Sequence, residues 1–330
     1  MTTVPSLQPA IAIIIPYFQR DQGILRRALD SIARQDTVVA AHVIVVDDAS
    51  PVPAEDEIAS VLFPDHFTCQ VIKRANGGPA AARNTGLGNV PKSCQYVAFL
   101  DSDDEWSTDH LKNAWTALEA GFDFYFSDLY QLEQSTGAFE RAGRITPHEH
   151  PKINAESQLH AYQGNMASQI LTGNIIGTPT VVFRREVAPE QRFREEFRNA
   201  GEDYLFWLEF CLKTDHIAFS TVCEAKCGRG VNVFSGVAWG SLEHMLRTRN
   251  MLRYKRFALE NMTLTPEVKQ HVRSDIRRLR EEYCQDLLHV FRHTKQLPWT
   301  ELIAHLKFDP ATLLALPPTI ISMLRPRVSK

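Results

Sequence analysis

Nothing in this 330-residue sequence approaches the roughly 18 uninterrupted apolar residues that a membrane-spanning helix requires, which argues against an integral membrane protein. The start, MTTVPSLQPA, lacks a basic segment followed by an apolar core, so a secretory leader is not expected. Cysteine is sparse and scattered at Cys69, Cys94, Cys211, Cys223, Cys227 and Cys284. Only Cys223 and Cys227 fall close together, and no second pair completes a zinc framework. Reduced thiols in a cytoplasmic protein are the expectation. Internal repeats and low-complexity tracts are missing too, which excludes solenoids and disordered linkers. What is present, 44% hydrophobic and 23% charged residues, is the composition of an ordinary globular chain.

The net charge of −3 conceals an asymmetry. Residues 1–240 hold 20 Lys and Arg against 30 Asp and Glu, whereas residues 241–330 hold 16 against 9. A basic C-terminal third suggests an anionic partner, with phospholipid headgroups one choice and a solvated helical surface the plainer one. Nucleic acid is not expected.

The first half alternates strand and helix signals. IAIIIP (11–16) is a β-branched run ended by Pro16, and GILRRALDSIARQ (23–35) has helical apolar spacing. HVIVVDD (42–48) reads as a strand, PAEDEIASVL as a helix, FTCQVIK as a strand, and PAAARNTGL as a helix opened by Pro79. QYVAFLD is another apolar strand, and DHLKNAWTALEAG a helix closed by Gly121. Near-unbroken apolar strands joined by helices predict a mostly parallel sheet covered on both faces, an α/β fold. Ligands of such sheets bind beyond the carboxyl ends of the strands, where Asp47, Asp48, Asp101 and Asp103 fall. FDFYFSDLYQLEQSTGAF predicts a strand and a Gly-containing turn, TPTVVFRRE a short strand, GEDYLFWLEFCLKT a helix, and IAFSTVCEAKCGRGVNVFSG a strand and loop. From residue 241 onward the pattern is helical, with Val268, Val272, Ile276, Leu279, Tyr283 and Leu287 recurring every three or four residues. The expected division is therefore 1–240 and 241–330. The closing DPATLLALPPTIISMLRPRVSK is suited either to lie on a membrane surface or to dock on its own domain.

The sharpest chemical signal is FLDSDDEW (99–106), with Asp101, Asp103, Asp104 and Glu105 in five positions. At an effective dielectric of 20, two carboxylates roughly 6 Å apart repel by about 3 kcal/mol. Along an extended segment Asp101 and Asp103 would face one cleft, where a hard divalent cation would remove the repulsion. The same acids could instead open a helix near Ser107 and favour its dipole. A second acidic station is GEDYLFW (201–207). There Glu202 and Asp203 lie about 100° apart on a helix, so one at most points at a substrate.

Four segments in order, IAIIIPYFQR (11–20), VIVVDDAS (43–50), NGGPAAARNTGL (76–87) with YVAFLDSDD (96–104), and GEDYLFW, resemble the family 2 glycosyltransferases of the GT-A fold, a Rossmann-like architecture. The resemblance covers roughly residues 11–235 and leaves the C-terminal helices as an extension. It implies an inverting, metal-dependent enzyme using Mn²⁺ or Mg²⁺. One sugar would pass from a nucleotide-sugar, UDP or dTDP favoured, to a hydroxyl of a glycan or lipid-linked acceptor in cell-surface polysaccharide synthesis.

The resemblance implies that Asp103 is the main metal ligand, with Asp101 near the ribose or the metal and Asp104 open as an alternative. It assigns the nucleotide to Pro16, Phe18, Asp48, Gly78, Arg83, Asn84, Asp101 and Ser102, with Asp48 at the base, Phe18 stacking and Arg83 at the diphosphate or a neighbouring Asp. Asp203 is implied as general base, and Trp207, one turn on, as either acceptor wall or core. Residues 165–180 are expected to line the sugar or acceptor pocket. Departures are Gln19, where relatives usually carry Asn, and CGRGVNVFSG, which lacks a His that relatives often use at the metal. His244 is the substitute considered as third ligand. The Q/R-x-x-R-W element of processive synthases is missing, so single addition is expected. A nucleotidyltransferase and a non-catalytic nucleotide-sugar-binding protein are the alternatives. Membrane contact, if made, would be peripheral, through the basic C-terminal region at the inner face of the plasma membrane.

Overall fold

The β-branched runs near the start of the chain become the centre of a sheet. The computed structural model describes residues 10–37, 39–132, 134–197, 201–230, 238–317 and 319–320. It divides into two compact units, one of residues 1–198 and 202–232, the other of 199–201 and 233–330.

In the first unit, β1 (Ile11–Tyr17), α1 (Ile24–Ala33), β2 (Ala41–Asp47), α2 (Ala54–Ile58), β3 (Phe67–Lys73), α3 (Pro79–Gly88) and β4 (Tyr96–Phe99) follow the expected alternation. The four strands are parallel, with Ile11 opposite both Ala41 and Tyr96. Each crossover helix covers a face. Leu25, Ala28, Leu29 and Ile32 of α1 pack with Ile11, Ile13, Ile15, Val43 and Val45. Ile14, pointing the other way, meets α3 at Gly86. Burial on both faces is why these strands are continuously apolar rather than alternating. Strand β1 runs through Pro16 to Tyr17, one residue beyond the expected end. The Ile14 carbonyl accepts from Leu100 N–H, so Pro16, two residues on, faces the same side after β4 has ended. No ladder donor is required there.

Beyond β4 come β5 (Glu105–Trp106), α4 (His110–Glu119), β6 (Phe124–Tyr130), α5 (Ala138–Ala142), β7 (Leu159–Ala161), α6 (Met166–Gly173), β8 (Val182–Arg184), α7 (Glu202–Cys211) and β9 (Ile217–Lys226). The nine strands form one sheet in the order β3-β2-β1-β4-β8-β6-β9-β5, with β7 also on β9. Strand β8 is antiparallel to both β4 and β6, and β6 pairs parallel with β9 through a register shift at Asp128. The sheet is thus mostly parallel but mixed beyond β4. Two local expectations fail. PAEDEIASVL yields a helix of only five residues, and the acids of DSDDE do not open the next helix: strand β5 intervenes before α4 begins at His110. Tertiary pairing decides the latter, since Glu105 and Trp106 lie against Lys226 and Ala225 of β9.

Helix α7 is anchored by aromatics. Trp207 is 0% exposed and contacts Phe99, Phe124, Phe193 and Phe206 edge-on, so it is core and not a pocket wall. Beneath α4 the buried Glu224 of β9 accepts from Tyr125 Oη at 2.7 Å and Asn113 Nδ2 at 2.7 Å, with His110 Nδ1 at 3.0 Å. That cluster, in which both Glu224 oxygens are engaged, fixes β9, whose end leads into the loop at Gly228.

The second unit is helical: α8 (Leu242–Asn261), α9 (Pro266–Thr294), α10 (Trp299–Phe308) and a 3-10 turn (Pro310–Ala315). The side chains of Ser241 and Thr265 accept from His244 and Val268 N–H as N-caps, and Pro266 occupies the first position of α9. The buried seam of α9 is the expected one, Val268, Val272, Ile276, Leu279, Tyr283 and Leu287. Among the described residues no helix is long and apolar enough to cross a membrane.

The approach of α3 to β1 gives a test of the packing. A Cβ at Gly86 would collide with Ile14 Cγ2. Gly86→Ala should destabilise the protein by about 1–3 kcal/mol through overpacking, outweighing the gain of up to about 1 kcal/mol in helix propensity. Urea unfolding reads the difference; a stabilised variant would mean that α3 does not press on β1 this way.

Candidate functional site

The acids of DSDD sit on a turn rather than an extended segment. Asp104 N–H donates to the Asp101 carbonyl at 3.0 Å, so the two-residue alternation expected for Asp101 and Asp103 does not apply. The turn sorts the carboxylates instead. Asp104 is buried and its carboxylate accepts from Gly228 N–H at 3.0 Å. Asp101 accepts from Arg83 Nη2 at 2.6 Å. Asp103 remains half-buried beside the Gly230 backbone amide. Burial, then the Asp101 charge, pushes the Asp103 carboxyl up to about 6, and burial with both neighbouring acids raises Asp104 well above the usual range. The loop after β9 fits this turn closely. A Cβ at Gly228 would strike the Asp103 carbonyl, and one at Gly230 would lie 2.6 Å from Gln19 Nε2 and 2.7 Å from Asp103 Cβ.

Arg83 joins the two acidic stations. It is 4% exposed and lies between Asp101 and Glu202, whose Oε1 is 3.6 Å from Nη1, an ionic contact too long for a hydrogen bond. Its Nε and Nη1 and Glu202 Oε2 are buried without hydrogen-bond partners. Burial works against the guanidinium charge, but Asp101, Glu202 and Asp203 together hold its pKa above the ordinary value. Burial and the Asp203 charge raise Glu202, offset by Arg83. Asp203, less enclosed, is also raised by burial, while Arg83 and the Tyr204 N–H, donating at 2.8 Å, pull it down.

Other expected residues have tasks within the fold. Asp47 braces the loop after β2, accepting from Ser50 N–H at 2.7 Å and Ala54 N–H at 3.2 Å. Asp48, expected at a nucleotide base, is 2% exposed. Its carboxylate is already engaged by Gly77 N–H, by Gly78 N–H at 2.7 Å and by Arg74 Nη1 at 2.5 Å. Gly78 takes φ +87°, which favours glycine. Asn84 is committed to Phe193, donating to its carbonyl at 2.8 Å and accepting from its N–H at 2.7 Å. Ser102 accepts from Gln19 Nε2 at 3.1 Å, so Gln19, noted above only as a departure, ties the loop after β1 to the acidic turn. Phe18 is half-buried beside it in sequence. Of residues 165–180, Met166, Ala167, Ile170, Leu171, Ile175, Ile176 and 178–180 are interior. His244 belongs to the second unit, where its Nδ1 lies 2.8 Å from Asp286 Oδ2.

Arg74, Gln19 and the two glycines of CGRG were not among the expected site residues. The Gly-x-Gly spacing was the available signal for a close backbone approach; for Arg74 the sequence carried none. Among the described residues no three His, Cys, Asp or Glu side chains form a metal site by themselves. An oxygen-donor pair such as Asp101 and Asp103 nevertheless fits Mg²⁺ or Mn²⁺, which are commonly held by one or two carboxylates plus substrate phosphates.

The mostly parallel sheet with β5, β7 and β8 reversed, helices on both faces and acids at the strand ends define a GT-A type glycosyltransferase fold. It is shared with S. aureus TarS 1–349 in complex with UDP-GlcNAc (TM-score 0.57, 18% identity, covering 84% of this chain and 79% of that one). The mannosyltransferase PcManGT from Pyrobaculum calidifontis, in complex with GDP-Man and Mn²⁺, is similar in fold as well (TM-score 0.57, 17% identity, 96% and 86%). The pattern of Glycosyl transferase family 2 matches residues 12–189, more than half of the chain. Succinoglycan biosynthesis protein ExoW of Rhizobium meliloti (strain 1021) is 35% identical over 241 residues, 69% of this chain and 71% of that protein. Minor teichoic acid biosynthesis protein GgaA of Bacillus subtilis (strain 168) is 33% identical over 65% of this chain, which spans 46% of GgaA. The chain belongs to glycosyltransferase family 2, a family of transferase enzymes.

The raised Asp103 carboxyl has a consequence for stability. Its ordinary value is 3.8 and its folded value about 6, so between them the folded state binds more protons than the unfolded one. Stability therefore falls as pH rises through that window. Two units correspond to at most about 3 kcal/mol. In the presence of a chelator, Asp103→Asn should leave the melting temperature unchanged at the acid end of the window and raise it at the neutral end. Equal melting of both proteins across the range would show that Asp103 is not held in a charge-averse position.

Proposed function

We propose that the enzyme transfers one sugar from a nucleoside diphosphate sugar to an acceptor hydroxyl with inversion, Asp203 acting as general base. The observation that carries this reading is the pair of acidic stations, Asp101 with Asp103 and Glu202 with Asp203, held together through the single buried Arg83. As the acceptor oxygen bonds to the anomeric carbon, its proton passes to Asp203 and the bond to the diphosphate breaks, the electron pair leaving with the diphosphate. A carboxylate raised above its ordinary value by burial suits that task. The Arg83 guanidinium, held beside Asp101, would place positive charge next to the diphosphate. A divalent cation, Mn²⁺ or Mg²⁺, would be held by Asp103 and Asp101 with the diphosphate, and would neutralise charge on the leaving group. His244 belongs to the second unit, and no place in this ligand set is assigned to it.

The donor's base would enter beside Phe18, with Asp48 serving it indirectly by holding Gly77 and Gly78. UDP is the favoured nucleotide, in keeping with the UDP-GlcNAc bound by TarS, and dTDP the next. The names of ExoW, GgaA and the amylovoran biosynthesis glycosyltransferase AmsB of Erwinia amylovora point to bacterial cell-surface polysaccharide as the acceptor class. A growing lipid-linked glycan fits it, with the enzyme cytoplasmic and in peripheral contact with the membrane.

Two measurements test the proposal. Calorimetric titration with UDP, dTDP, GDP, ADP and CMP, with and without Mn²⁺, should give tight metal-dependent binding of one pyrimidine diphosphate that Asp103→Ala abolishes. Indifferent or metal-independent binding of all five would remove the donor site from this turn. Asp203→Asn should lower turnover by about 10²–10⁴-fold while leaving donor affinity unchanged. Full activity in that variant would reassign the base.

A further inference from the structure

We infer that the second unit carries an anionic-phospholipid docking surface, built from an arginine-lined cavity between α8 and α9 and the exposed leucines of the turn next to it. The inference rests on the reading above that the enzyme works at a membrane, and it names the surface that makes the contact.

The cavity encloses about 620 Å³, and Arg256, Glu260, Gln270, Arg273, Arg277 and Arg280 contribute to its wall. Four arginines face one carboxylate. Two of them are already used. Arg280 forks onto Asp309 through Nε and Nη2, both at 2.7 Å, and Arg256 donates to the Phe308 carbonyl at 2.6 Å and to Glu260 at 2.6 Å. Arg273 and Arg277 are exposed, and among the described residues no hydrogen bond or ion pair engages either. They are four residues apart, so they project from the same face of α9 one turn from each other. Two planar guanidinium groups without a counter-charge are suited to bind a phosphodiester through paired N–H donors.

The apolar half of the surface is tied to this cavity by hydrogen bonds. Asp309, the partner of Arg280 and Arg256, opens the 3-10 turn and accepts from Thr312 Oγ1 at 2.9 Å. The next two residues, Leu313 and Leu314, are 48% and 79% exposed. Exposed leucines on a turn that Arg280 ties to the arginine-lined cavity form a combination that a soluble anion does not require, whereas a bilayer offers phosphates and acyl chains at adjoining depths. On α10, Trp299 and Ile303 add exposed apolar side chains one turn apart. The excess of 16 basic over 9 acidic residues in 241–330 has the sign such a surface needs.

The test is co-sedimentation of the full chain with vesicles of phosphatidylcholine alone and of phosphatidylcholine mixed with phosphatidylglycerol. Wild type should pellet with the mixed vesicles only and be released by salt. Arg273→Gln with Arg277→Gln should weaken that partition roughly thirty-fold, each arginine near a charged surface contributing about a five-fold factor. Leu313→Ser with Leu314→Ser should weaken it as well, and inorganic phosphate should not compete at equal phosphate concentration. Failure of wild type to bind mixed vesicles, undiminished binding by the arginine variant, or binding of free phosphate in place of vesicles would each overturn the inference. Neither variant removes a packed group, and matching melting curves would verify folding. UDP titration of the same preparations separates the two readings: vesicle binding without UDP binding sinks the donor site alone, and UDP binding without vesicle binding sinks the docking surface alone.

Discussion

A buried guanidinium among carboxylates is the constraint on which the first unit depends. Arg83 sits on α3, Asp101 follows β4, and Glu202 opens α7. Three segments far apart in sequence are thereby held to one charge. Removing one member of such a buried group leaves the others uncompensated, at a cost of about 3–5 kcal/mol. The compensation is also incomplete, because two Arg83 donors and one Glu202 oxygen have no hydrogen-bond partner. A fold arranged for stability alone would satisfy or remove them.

The scaffold places this cluster by ordinary means. Parallel strands buried on both faces end together, and their carboxyl ends collect the loops. The loops are then fastened to one another by a carboxylate at almost every joint. Asp47 holds the turn to α2, Asp48 the Gly77–Gly78 amides, and Asp104 the Gly228 amide. Backbone N–H groups do much of the work, which is why glycine recurs at the contact points. At Gly228 and Gly230 any side chain would meet Asp103 itself. The Glu224 cluster beneath α4 anchors the strand that delivers those glycines.

The fold was readable in the sequence to the extent that burial is local. IAIIIP, HVIVVD and YVAF are apolar on both faces and became central strands, and the apolar face of α1 was visible at its helical spacing. Strand β5 was not, because two residues acquire strand character only by pairing with β9, more than a hundred residues away. The candidate site divided similarly. Asp101, Asp103, Arg83 and Asp203 announced themselves as charges in unusual places. The engagement of Asp48 by Gly77, Gly78 and Arg74, and of Asn84 by Phe193, depends on loop geometry that spacing does not encode.

The turn conformation of DSDD also bears on an ambiguity that the one-dimensional pattern leaves open, namely which acids of the run form the working pair. In an extended strand, alternation would group Asp101 with Asp103 and send Ser102 and Asp104 to the opposite side. The turn reaches a related grouping by another route. Its i to i+3 hydrogen bond folds Asp104 inward onto Gly228, and Ser102 is drawn to Gln19. Asp101 is steadied by Arg83, and Asp103 is left with a burial penalty and, among the described residues, no cationic hydrogen-bond partner of its own. The three aspartates of the run therefore are not equivalent. One is a brace and one is an ion-pair partner, while Asp103 retains the largest unanswered demand for positive charge among those that remain partly open to solvent. That inequality makes Asp103, rather than the run as a whole, the position where a bound cation would change the energetics most.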